Sequence, residues 1–135
     1  EKYRTLGYES NLIADTDWKH LGVAAKNLAE SIEADGIIAI TRSGQTAEIV
    51  SNAKPLMIPI YAFSNSRKTI NHLSLAGSVH AFYSPTYSDH QRNIDSVMKI
   101  LSKNLAPKKN LKFIVISGIL SEHSADAIEI RNLEV

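Results

Sequence analysis

The chain has 135 residues, 44% of them hydrophobic and 21% charged. This is the make-up of one folded domain that buries roughly two-thirds of its unfolded surface, which excludes a disordered or collagen-like chain. Fifteen Lys and Arg against 14 Asp and Glu leave a net charge of +1, without the basic excess of a nucleic-acid binder. Cysteine is absent, so disulfides and thiolate chemistry are excluded, and no apolar run of about 18 residues spans a bilayer. No secretory signal is visible, and the expectation is a cytoplasmic domain with neither a nucleic-acid nor a membrane partner.

Residues 1–15 lack clean periodicity and read as a loose arm or the tail of a preceding element, with the domain proper over 16–135. Asp15, Thr16 and Asp17 offer N-cap oxygens. Trp18, Leu21, Ala25, Leu28 and Ile32 then fall on one helical face, and Asp35-Gly36 ends the helix. Ile37–Ile40 is a short apolar run, which predicts a strand buried on both faces. After the polar turn Thr41–Thr46, residues Ala47, Ile49, Val50 and Ala53 form a short helix that stops before Pro55. Met57–Phe63 reads as the second strand, with Pro59 weakening its start. Ser64-Asn65-Ser66 caps a third helix through Ile70, Leu73 and Ala76, with Gly77 at its end.

Val79–Tyr83 predicts a third strand. Ser88 with Gln91 matches a capping box ahead of a helix carrying Ile94, Val97, Met98, Leu101 and Leu105 on one face, closed by Pro107. Lys108, Lys109 and Lys112 read as a solvated loop. Phe113–Ile116 is a fourth buried strand. Strand and helix therefore alternate, which calls for a parallel sheet with helices on both faces. Only Gly118–Ala127 precedes the alternating segment Ile128–Arg131. That is short for a helical crossover, so the last strand is expected to return antiparallel at an edge, with one face wet.

In open parallel sheets, ligands bind beyond the carboxyl ends of the strands. The loop Thr41-Arg42-Ser43-Gly44-Gln45-Thr46 follows a buried strand and opens a helix. Its glycine permits the bend, the helix start leaves unpaired N–H groups, and three hydroxyls and one guanidinium surround them. Together these suit a phosphate; the competing reading is a plain capped turn. Arg67 and Lys68 of the second loop, Ser64–Thr69, are candidates to add positive charge. His20, His72, His80, His90 and His123 show no metal-ligand spacing. Ser121–Asp126 holds the letters of a catalytic triad without a nucleophile elbow. No Walker loop or Gly-x-Gly-x-x-Gly is present, so no catalytic residue and no metal site is expected.

Three segments in fixed order, Gly36–Thr46 (GIIAITRSGQT), Pro59–Thr69 (PIYAFSNSRKT) and Leu73–Tyr83 (LSLAGSVHAFY), resemble the C-terminal domain of pyruvate kinase, over roughly Trp18 to Leu133. The resemblance implies a three-layer α/β/α sandwich on a five-stranded mixed sheet with the last strand antiparallel. It further implies a parent enzyme of glycolysis that moves phosphate between phosphoenolpyruvate and ADP, with Mg²⁺ and K⁺ held in a barrel domain and lid absent from this chain. The chain alone then holds no cofactor and is silent in that reaction. In the family this domain supplies a tetramer interface, and often a site for a phosphorylated allosteric effector, onto which Thr41, Arg42, Ser43, Gly44 and Thr46 fall. Gln45 stands where many members have arginine, and the loop Gly118–Ser124 carries Glu122 where the family is glycine-rich, so a fructose bisphosphate site is expected to be absent or altered. Partners implied are the barrel domain, further copies of the chain and a phosphorylated small molecule. The alternative resemblance, through Ser43-Gly44-Gln45-Thr46, is to a sugar isomerase domain that binds phosphosugars on a fully parallel sheet.

Overall fold

A computed structural model describes residues 6–75, 78–105, 110–118 and 127–134, without the side chains of residues 6–16 and 18. The expectations for Trp18's side chain, Gly77, Pro107 and most of the loop ahead of the last strand lie outside the described residues, as does His123.

Helix α1 (Leu6–Ser31) leads into strand β1 (Gly36–Ile40), helix α2 (Gln45–Asn52) and strand β2 (Ile60–Ser64). Helix α3 (Arg67–Ser74), strand β3 (Val79–Tyr83), helix α4 (His90–Asn104) and strands β4 (Leu111–Ser117) and β5 (Ala127–Leu133) follow. The strands form one sheet in the order β3-β2-β1-β4-β5. All neighbours run parallel except β4 and β5, which pair antiparallel from Leu111↔Leu133 to Ser117↔Ala127. The expected mixed sheet with an antiparallel edge is what the chain forms.

Side-chain alternation along β1 sorts the core into two layers. Ile37 and Ala39 pack with Ala25 and Ala29 of α1, Ala47 and Val50 of α2, Leu73 of α3, and Ile114 and Ile116 of β4. Ile38 faces the other way, against Ile94, Val97, Met98 and Leu101 of α4, with Phe63, Phe113 and Val115. Three helices thus cover one face and α4 the other, which makes three layers. The apolar positions of α1 behave as their spacing predicts, with Leu21, Leu28 and Ile32 packed against the first cluster. α1 also approaches α2 closely at Gly22, where a Cβ would lie 2.7 Å from the Ile49 carbonyl oxygen.

Four local expectations are corrected. α1 begins at Leu6 rather than after Asp15. Asp15, Thr16 and Asp17 are able caps, but no proline separates them from the preceding turns and helix propagation costs little once begun. Strand β2 starts at Ile60, not Met57. Met57 takes a positive φ of 58° and stands 94% exposed in a turn, while the Pro59 carbonyl accepts the Ile37 N–H. The capping box at Ser88 does not form: Asp89 is the N-cap, without a side-chain cap bond. Gln91 instead donates to Asp95 and accepts from Arg131. Finally, β5 does not keep its charged residues wet. Glu129 and Arg131 are partly buried against the start of α4, whereas Ile130 is 50% exposed.

Candidate functional site

The sheet order places β2 and β4 on either side of β1. One βα crossover leaves β1 towards β2, and the chain later returns on the opposite face to β4. The crevice outside the carboxyl ends of β1 and β4 is therefore the topological switch point, where open α/β sheets place ligands. The loop Thr41–Thr46 occupies its β1 side.

Gly44 is the N-cap of α2, with φ 96° and ψ −8°, a left-handed conformation. A Cβ there would meet only ordinary contacts, 3.4 Å from Leu73 and 3.5 Å from Thr69. Backbone angle, not space, is what calls for glycine. Within the bend, the buried Thr41 hydroxyl accepts the Gly44 N–H at 2.9 Å, and Ser43 Oγ accepts the Gln45 N–H at 3.4 Å. Two of the loop's own hydroxyls are thus engaged with its own amides. Arg42, Ser43 and Gln45 are exposed.

Thr46 differs. It is 6% exposed, and its hydroxyl has no hydrogen-bond partner among the described residues. It is nevertheless not sealed off, since Ser117 Oγ is the one described side-chain atom both closed from solvent and unpartnered. The Thr46 oxygen therefore meets the surface at the first turn of α2. The backbone N–H groups of Thr46 and Ala47 also lack acceptors among the described residues, as expected for a helix start. Ser117, 2% exposed, ends β4 across the same crevice.

The second loop joins the first. Ser66 caps α3 by accepting the Thr69 N–H, and the hydroxyls of Ser64 and Thr69 both donate to the Arg42 carbonyl. The Arg67 guanidinium lies over the Tyr83 ring, 4.9 Å from its centroid. Lys68 is exposed.

On the α4 side of the rim, one carboxylate gathers two partner residues that sequence spacing did not single out. His90 Nε2 lies 2.5 Å from Glu129 Oε2, while Arg131 donates through Nη2 at 2.7 Å and Nε at 3.1 Å to Oε1. Arg131 Nη1 also reaches Gln91 Oε1 at 3.0 Å. Burial by itself raises the Glu129 carboxyl, but hydrogen bonds and charge from Arg131 and His90 outweigh it and hold the group below its ordinary value. No signal in the local sequence marks this cluster, because His90 and Glu129 are brought together only by the return of β5. His20, His72 and His80 are exposed singles.

The family model described as "Pyruvate kinase, alpha/beta domain" matches residues 20–131. A pyruvate kinase of Agrobacterium vitis is 30% identical over 106 residues, which is 78% of this chain and 22% of that protein. One of Eimeria tenella is 29% identical over 99 residues, 73% of this chain and 18% of that protein. Among solved structures, a pyruvate kinase from Cryptosporidium parvum superposes with a TM-score of 0.75 at 18% identity, over 86% of this chain and 22% of its own. This chain thus spans about a fifth of the length of the relatives it matches. The antiparallel β5 and the family match leave the sugar isomerase alternative without support.

Proposed function

The chain belongs to the pyruvate kinase family as its α/β domain, and we propose that it serves regulation and assembly of such an enzyme while the chemistry lies in the other domains. On this reading the whole enzyme transfers phosphate between phosphoenolpyruvate and ADP in glycolysis, in the cytoplasm. The loop Thr41–Thr46 receives the phosphate of a phosphorylated effector. What supports the loop's role is Thr46: a nearly buried hydroxyl without a partner among the described residues, beside N–H groups of α2's first turn that likewise have none there. Arg42 adds the cation, and Gly44 sets the bend. With Gln45 in place of a second cation, the loop suits one phosphoryl group better than a densely charged bisphosphate.

Mg²⁺ and K⁺ belong, on the same reading, to the parts of the enzyme outside this chain. Among the described residues no group of three or more histidine and carboxylate side chains converges. Assembly is assigned to the edge strand β5, which pairs with another copy; the apolar face of α4 around Ile94 to Leu101 is taken up by the sheet and is not available for it.

Thermal melting with added phosphate tests the anion role. The unaltered chain gains stability with phosphate, as any ligand of the native state requires. Ser43→Asp puts a like charge at the loop and abolishes the gain. A gain that survives Ser43→Asp undiminished moves the site elsewhere.

A further inference from the structure

The Arg42 carbonyl is gripped from across the rim. Thr69 Oγ1 donates to it at 2.7 Å and Ser64 Oγ at 3.2 Å. Both donors are buried, with exposures of 8% and 3%, so water competes little for either bond. Each is held in turn: Ser64 Oγ accepts the Ser66 N–H at 3.1 Å, and Ser66 Oγ accepts the Thr69 N–H at 3.2 Å. The end of β2 and the first turn of α3 thus form a connected set of hydroxyls that terminates on one peptide of the first loop.

That peptide is the one ahead of the Gly44 bend. In a trans peptide the N–H points opposite the carbonyl. With the Arg42 carbonyl drawn towards the second loop, the Ser43 N–H faces away from it, and it has no acceptor among the described residues. We infer that Thr69 and Ser64 are positioning residues of the anion loop. They hold the Arg42–Ser43 peptide so that the Ser43 N–H is displayed before a ligand arrives, together with the Thr46 hydroxyl and the first amides of α2. The inference rests on the phosphate reading of Thr41–Thr46 and deepens it. An exposed loop that turns through a glycine loses conformational entropy on closing around an ion, and fixing its carbonyl beforehand removes part of that cost.

The test is an amide-resolved NMR titration of the full chain with inorganic phosphate, run on the unaltered protein and on Thr69→Val, Thr69→Ser and Ser64→Ala. Thr69→Val keeps the volume and removes the donor; Thr69→Ser keeps the donor. The Ser43, Thr46 and Ala47 amides of the unaltered chain shift saturably. Loss of one such hydrogen bond weakens phosphate binding roughly three- to tenfold in Thr69→Val, and Thr69→Ser restores it to within about twofold. A purely structural hydroxyl lowers the melting temperature of Thr69→Val but leaves the phosphate affinity of the folded protein unchanged. That split, seen also in Ser64→Ala should the valine variant fail to fold, overturns the inference and leaves the phosphate reading standing. No saturable shift in the unaltered chain overturns the phosphate reading, and the role of these hydroxyls in it falls as well.

Discussion

At the scale of single residues, Gly44 and Thr46 carry most of the weight. A side chain at Gly44 has room but not the backbone angle. Gly44→Ala is therefore expected to destabilise the fold by about 1–2 kcal/mol, the cost of a left-handed L-residue, with no cavity or clash contribution. Urea denaturation of the two proteins measures it. A loss well above that range would mean that the loop, not the one residue, rearranges. The loop itself was legible in the sequence because its letters are contiguous and lie between a buried strand and a helix. The grip on Arg42 was not. Ser64 and Thr69 reach it from 22 and 27 residues away, and hydroxyls at those positions read locally as helix caps. Their second role appears only when the parallel pairing of β1 with β2 brings the two loops side by side.

At the scale of elements, packing overrides local signals where the two disagree. α1 runs through three capable cap residues, and β2 yields its first residues to a turn. Gly22 illustrates the same contest. Alanine in a helix interior is worth about 1 kcal/mol over glycine, yet a Cβ at Gly22 would press on the Ile49 backbone. Gly22→Ala is expected to lose stability rather than gain it, because α1 and α2 must separate; a gain in the denaturation midpoint would contradict this. The clamp between α4 and β5 gives a pH dependence of known sign. Glu129 is held below its ordinary value, so its contribution is fully present above the unfolded carboxylate value and is lost as pH falls through the lower folded one. Glu129→Gln should therefore be less stable at neutral pH and converge with the unaltered chain in acid. Urea midpoints measured from about pH 7 down to about pH 3 follow it. Parallel curves for the two proteins would show that the carboxylate does not hold β5.

At the scale of the whole molecule, strand order sets where the loop lies. Four parallel strands whose connections change face between β3 and β4 leave a crevice beside β1, and β5 closes one side of the sheet antiparallel. The alternation of apolar runs made the layers readable in advance, and the short connection ahead of β5 made its direction readable. The burial of Glu129 and Arg131 was not readable, because the strand's alternation says which residues share a face and not which face α4 covers. Since the chain spans about a fifth of its relatives' length, it is expected to give no turnover with phosphoenolpyruvate, ADP and Mg²⁺ in a coupled assay; clear turnover would place the chemistry here. The most direct measurement is a crystal structure of the chain grown in phosphate. The account predicts an ion within hydrogen-bond distance of the Thr46 hydroxyl and of the Ser43, Thr46 and Ala47 amides. A well-ordered loop bare of any ion, with phosphate bound at another surface, would contradict it.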